Sequence, residues 1–356
     1  MRALGVLLVL VAAAVRADEV PTEVNLLSWG SGALLVKAPA EYSGSWSAWW
    51  LLDERPDRGW ASPNGDVTPK AFVIELAERS ELSVLEFDTA KVDGPKGLRA
   101  AKNVLVEVAD EAGSEFSEVA RLTLAKAKDK QRFSVKSPRA SRYVRLTVLD
   151  NHGDPTNLEL MDFRAFGKQL THTALADNSG TFATKEFGKF HLRQRGIEVA
   201  GCYEHDQGLI QNGGFDGRVL RFTWSEDGGK KPNDRGPAIM IFPSDGQSFV
   251  GFWWYEGRTR QTPGTWTGTR VSKDVGLCPH WKADDGSASG LETQLANEGR
   301  ARLYGINFDV DSDRLRDESK PALEALATLA KGHGDWGFTI EGHTDSTATA
   351  AHNQAL

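Results

Sequence analysis

The stretch 142-RYVRLTVLDNHGDPTNLELMDFRAFG-167 decides how the first part of this chain folds. In its opening run Val144, Leu146 and Val148 alternate with Arg145 and Thr147. A period of two puts the apolar residues on one face of a strand and the polar ones on the other, the pattern of a strand buried on one side. The same grammar recurs upstream in "KAFVIEL", "LSVLEFD", "NVLVEVAD", "VARLTLA" and "QRFSV". Each run is short, rich in Val, Leu, Phe and Thr, and bounded by Gly, Pro, Asp or Lys clusters, as sandwich strands are. Residues 23–168 therefore read as a β-sandwich.

A chain of 356 residues is too long for one ordinary core, so about two or three domains are expected. The formal charge of −7 is spread without a long basic run. That argues against nucleic acid, which needs clustered Lys and Arg to displace counterions. The N-terminus, "MRALGVLLVLVAAAVRADEV", has a basic Arg2, an apolar run from Leu4 to Val15 and a V-R-A ending at Ala17. Residues 1–17 thus have the layout of a cleavable secretory signal, and the run is short of the roughly 20 residues a membrane span needs. Cleavage would remove Arg2 and Arg16 and take the charge from −7 to −9. The expected location is exported: periplasm, or associated with the outer membrane or cell wall.

The run "RYVRLTVLDNHGDPTNLELMDFRAFG", with "AFVIELAERSELSVLEFD" as an earlier strand pair and the "NVLVEVADEAGSEFSEVARL" hairpin, resembles a discoidin, or coagulation-factor type C, module. The resemblance implies a galactose-binding-like jelly roll that binds glycans, lipid head groups or proteins through loops at one end. The loops in question carry Trp46, Trp49, Trp50 and Trp60, with Asn151 and His152. Exposed indoles stack on sugar rings, so Trp46, Trp49, Asn151 and His152 are candidate glycan-binding residues; core tryptophans are the competing reading.

Residues 171–285 contain Gly-punctuated strands, among them "GRVLRFTWSED", "GPAIMIFPSDGQSFVGFWWYEG" and "GTWTGTR", at a spacing that suggests an antiparallel meander closing into a small barrel. This segment resembles avidin-like or lipocalin-like barrels; a filled structural module fits the same pattern. Cys202 and Cys278, the chain's two cysteines, lie near its ends. In an oxidising compartment they are expected to pair as a disulfide. The alternative is a metal site with His205 and His280, which sit beside them in "CYEH" and "CPH".

After a linker, "KADDGSASG", the third segment begins at about Gly299. Tyr304, Ile306, Phe308 and Val310 alternate as a strand. Leu323, Leu326 and Leu329 share a helical face, with Ser319 as cap, Pro321 in the first turn and Gly332 at the end. Trp336, Phe338 and Ile340 then alternate as a second strand, which makes a βαβ unit. "DVDSD" fails as an EF-hand loop, because Arg314 and Lys320 stand where Gly and Glu are needed. The run ending "FTIEGHTDSTATAAHNQAL" resembles the OmpA-like peptidoglycan-binding domain, of which residues 299–356 would be the N-terminal half. The resemblance implies non-covalent binding of the diaminopimelate stem peptide. Asp345 would receive its ammonium, with Thr344 and Asn353 lining the pocket; the family's carboxylate-binding Arg would fall beyond Leu356.

The expected architecture is multidomain and mainly β, a jelly-roll sandwich plus a small antiparallel barrel, followed by a partial α/β OmpA-like domain. The expected function is non-enzymatic: a Gram-negative-type envelope protein that binds peptidoglycan, presents a module for a glycan or envelope protein, and needs no cofactor or metal. An exported carbohydrate-active enzyme with an unrecognised carboxylate site is the alternative. "GxSxG", "HExxH" and P-loop motifs are missing, and "GSGALL" at Gly30 falls short of a dinucleotide motif.

Overall fold

The computed structural model describes residues 24–89, 94–230, 233–276, 278, 292, 295, 299, 315 and 320–340. The proposed signal, the strand at 304–310, His280, Thr344, Asp345 and Asn353 lie outside the described residues.

The first body is a β-sandwich. Its strands are β1 (Val24–Asn25), β2 (Leu34–Lys37), β3 (Trp60–Ala61), β4 (Lys70–Asp88), β5 (Asn103–Ala109), β6 (Ser117–Thr123), β7 (Gln131–Ser134), β8 (Ala140–Val148), β9 (Glu159–Leu160) and β10 (Asp162–Gln169). They pair antiparallel in the order β1-β10-β4-β8-β5-β6, with β2 and β7 also on β4, and β3 on β9. The runs "KAFVIEL" and "LSVLEFD" are not a strand pair but one 19-residue strand, β4. The residues between them, Ala77 to Glu81, hold no Gly or Pro to turn the chain. The ladder to β8 instead shifts register between Glu75 and Ser80. The first half of β4 lies between β2 and β8, and its second half between β10 and β7. A strand that changes neighbours at a bulge joins the two layers of the sandwich.

The alternation along β8 is visible in burial. Val144, Leu146 and Val148 are sealed from solvent, as are Phe72, Ile74, Leu85, Phe87, Val104, Val106 and Phe163. Each such side chain contributes roughly 1.5–3 kcal/mol by leaving water.

The second body is a closed antiparallel barrel of eight strands: β11 (Gly180–Thr184), β12 (Lys189–Arg195), β13 (Glu198–Tyr203), β14 (Gly208–Asp216), β15 (Val219–Ser225), β16 (Arg235–Ile241), β17 (Ser248–Trp253) and β18 (Gly264–Ser272). Closure leaves no exposed sheet edge. Phe182, Phe190, Tyr203, Phe215, Phe222, Trp224, Phe249 and Trp266 form a single buried cluster that fills it. Cys202 and Cys278 form the expected disulfide, which fastens the chain beyond β18 to β13.

Sandwich and barrel share a core. Ile241 and Phe252, on the outer wall of β16 and β17, are buried in one cluster with Trp29 and Trp50 of the sandwich. Trp29 stacks on Phe252 with ring centroids 3.7 Å apart. Beside them Arg218 of the barrel donates to Gly32 O (2.6 Å), Glu75 O (3.0 Å) and Glu75 Oε1 (3.0 Å) of the sandwich. Arg142 reaches the same Glu75 oxygen at 3.0 Å. A buried carboxylate between two guanidiniums has its charge matched, which makes its burial tolerable.

In the third segment α1 (Lys320–Gly332) forms where the Leu323, Leu326 and Leu329 spacing predicts a helix. Leu329 is buried. The second strand is not formed: residues 336–340 carry no ladder, Trp336 stacks on His333 and Ile340 is 76% exposed. Alternation makes a strand only where a neighbour supplies the hydrogen bonds, and no described residue does so here.

Candidate functional site

The sandwich residues singled out for glycan binding occupy different settings. Trp49, half-buried, sits in the short helical turn Ala48–Leu52 and meets Phe252 of the barrel edge-on at 5.6 Å. It therefore faces the seam between the bodies. Trp50 is buried, donates Nε1–H to Gly44 O (3.1 Å) and lies under the Arg58 guanidinium. Trp60 is fully buried edge-on to Phe72. These two are core residues, as the competing reading held. Trp46 keeps part of its surface open in the turn Gly44–Trp46. Asn151 uses its amide to tie Asp154 O (2.8 Å) and Asn157 O (2.7 Å), which shapes its own loop. His152 packs beside Leu124, and burial pushes its pKa down, favouring neutral imidazole. Asn151 and His152 belong to a separate loop, held by its own hydrogen bonds, while Trp49 of the Trp46–Trp49 turn packs on the barrel.

Along the seam Arg58 forms an ion pair with buried Asp53 and donates to Gln261 O of the barrel at 3.2 Å. Burial pushes Asp53 up to about 7 against the pull of Arg58. Deeper in the sandwich the Arg164 guanidinium holds Glu86, Asp88 and Asp162 at 2.7–2.8 Å. Three carboxyls face one cation there, and burial holds Asp162 well above the usual carboxylate range.

One end of the barrel gathers groups that the sequence reading did not bring together. Tyr203, at the end of β13, stacks on Phe190 at 4.8 Å and touches Trp266 at 5.7 Å. Trp253 lies against Trp266, Trp224 and Tyr255. Gly208 and Gly264 stand directly opposite Tyr203 and Trp253 in their ladders, and a Cβ at either would run into the ring. Glycine at these two places lets each ring lie flat across the neighbouring strand. Tyr203 Oη is sealed from solvent and lies toward Glu226 without closing a hydrogen bond of ordinary length and angle; Trp253 Nε1 and Trp266 Nε1 are likewise sealed and close none. Burial, then the Glu226 and Asp206 carboxylates, push the Tyr203 phenol well above its usual range.

Just outside Tyr203, His205, Asp206 and Glu226 bring one nitrogen and two carboxylate ligand atoms within 4.8 Å of one another. His205 Nε2 lies 3.9 Å from Glu226 Oε1. Phe187 packs edge-to-face on both the His205 ring (5.4 Å) and the Tyr203 ring (6.5 Å). Backbone bonds fix both turns: His205 N–H donates to Phe187 O (3.2 Å), and Glu226 N–H to Asp234 O (2.9 Å). The metal site offered as the alternative to the disulfide paired His205 with the cysteines; the disulfide takes both sulfurs and leaves His205 facing carboxylates instead.

Residues 67–169 match the Sad1/UNC-like C-terminal family. The match falls on the sandwich and supports a galactose-binding-like module at the level of fold. Two curated proteins are also similar. Outer membrane porin F of Pseudomonas aeruginosa is 31% identical over 86 residues, 24% of this chain and 24% of the porin. The peptidoglycan-associated lipoprotein of Rhizobium meliloti is 30% identical over 79 residues, 20% of this chain and 45% of the lipoprotein. The chain thus spans less than half the length of either relative. Among solved structures, the family 32 carbohydrate-binding module of Streptococcus pneumoniae EndoD superposes with a TM-score of 0.34 at 16% identity, over 41% of this chain and all of that module. Allantoicase of Saccharomyces cerevisiae does so with 0.34 at 18% identity, over 42% of this chain and 44% of the enzyme. Nothing about ligand or activity follows from superpositions at that level.

Proposed function

We propose that this chain is an exported, non-enzymatic envelope protein that holds peptidoglycan through its C-terminal segment and presents the joined sandwich and barrel beside the wall. The observation that carries this reading is the similarity to a protein named for its association with peptidoglycan. The porin similarity points to the same envelope, and the disulfide suits an oxidising compartment outside the cytoplasm. In this reading Asp345 takes the ammonium of diaminopimelate, with Thr344 and Asn353 beside it. The sandwich offers Trp46, Asn151 and His152, each partly open, to a glycan or an envelope protein. The test is native envelope fractionation. The chain should stay with the sacculus in mild detergent and come free when muramidase cuts the glycan strands. Release by mild detergent alone would sink the proposal.

A further inference from the structure

We propose that His205, Asp206 and Glu226 form a binding site for a divalent transition-metal cation at one end of the barrel. The ligand set is one imidazole nitrogen and two carboxylate oxygens, within 4.8 Å of one another. Imidazole with carboxylate suits borderline first-row ions such as zinc better than calcium or magnesium, which favour oxygen alone. His205 Nε2 and Glu226 Oε1, 3.9 Å apart, are too far apart for a hydrogen bond and close enough to share an ion with bonds of about 2.0–2.2 Å to each.

A second observation points to the same place from inside the barrel. Tyr203 is 2% exposed, and its hydroxyl lies toward Glu226 without closing a hydrogen bond of ordinary length and angle. The charges it faces are Glu226 and Asp206. A buried hydroxyl in that position costs free energy unless something completes its surroundings. A cation on the outer side of Glu226 draws that carboxylate into one fixed orientation, in which an oxygen can accept a hydrogen bond from the Tyr203 hydroxyl. Such a hydroxyl orients the ligand and does not touch the metal, the usual arrangement behind a metal-bound carboxylate. The His205 ring is already held by Phe187, and the turns carrying His205 and Glu226 are pinned by backbone bonds to Phe187 and Asp234. The ion therefore meets ligands on supports that are in place before it arrives. His205 and Asp206 are exposed, so water fills the remaining positions and the ion exchanges with solvent. No residue of the C-terminal segment takes part in this site, so it is independent of peptidoglycan binding.

The experiment is calorimetric titration of zinc chloride into the metal-stripped full chain with its disulfide intact, alongside the variants His205→Ala and Glu226→Gln. The expected result is saturable binding of one ion per chain, lost in both variants. Tyr203→Phe keeps the ring and removes the hydroxyl; it should fold and bind at least about tenfold more weakly. Nitrogen-15 spectra should show the His205 ring signals moving as zinc is added. An absence of saturable binding would overturn the proposal. So would zinc binding that survives His205→Ala, or an affinity that Tyr203→Phe leaves unchanged.

Discussion

Phe252 sits on the outer wall of a barrel and is nonetheless fully buried, because three tryptophans of the sandwich pack against it. Trp29 stacks on it at 3.7 Å, Trp49 meets it edge-on at 5.6 Å and Trp50 is tilted against it at 6.1 Å. Replacing a buried Phe by Ala costs about 3–5 kcal/mol. Of this, the ring contacts supply roughly 0.5–1.5 kcal/mol per pair beyond the area removed from water. Phe249 lies on the same strand but points inward, against Phe182 (5.6 Å), Phe190 (5.8 Å) and Phe242 (5.6 Å). The two substitutions therefore separate a seam from a core. Urea unfolding should be compared in the full chain and in residues 171–285 alone. Phe249→Ala should cost about 3–5 kcal/mol in both. Phe252→Ala should cost as much in the full chain and close to nothing in the barrel alone, where the ring is uncovered. A double-mutant cycle of Trp29→Ala with Phe252→Ala in the full chain should show coupling of about 1 kcal/mol or more. Additive effects in that cycle, or a harmless Phe252→Ala in the full chain, would refute the shared core.

Two further outcomes follow from the same geometry. The Cys202–Cys278 bond links positions separated by 76 residues. Restriction of so long a loop stabilises by about 4 kcal/mol in the chain-entropy account, so reduction should lower the barrel's unfolding midpoint by at least about 10 °C in a thermal scan. A drop of under about 2 °C would contradict that. Asp53, raised to about 7 in the fold from an ordinary 3.8, binds its proton more tightly folded than unfolded. Its contribution to stability is therefore complete below about pH 4 and is lost as pH rises toward 7, with a slope of at most about 1.4 kcal/mol per pH unit. Asp53→Asn should flatten stability against pH across that window in urea titrations, and an unchanged profile would remove Asp53 as the cause.

Much of the sandwich was legible because its strands bury one face, so period two survives in the letters; Val144, Leu146 and Val148 are the clearest case. The length of β4 was misread because a bulge at Glu75–Ser80 resembles a break between two strands. Residues 238–242, "AIMIF", and 249–254, "FVGFWW", are apolar without alternation. The structure gives the reason: Met240 and Phe249 fill the barrel while Ile241 and Phe252 meet the sandwich. Continuous apolarity in a barrel strand was thus the available signal for the seam. Trp49 looked like a ligand platform because an indole buried between two bodies has the same letter as one open to a sugar. The His205, Asp206 and Glu226 cluster was hidden for a different reason. Its third member lies some twenty residues away in sequence and arrives only when β13, β14 and β15 pair.

The most direct measurement of the central claim is co-sedimentation of the purified exported chain with isolated cell-wall sacculi, beside an Asp345→Ala variant. The account predicts saturable pelleting that Asp345→Ala abolishes while the variant's unfolding curve stays unchanged. Sacculi that fail to pellet the chain, or that pellet both proteins equally, would contradict it.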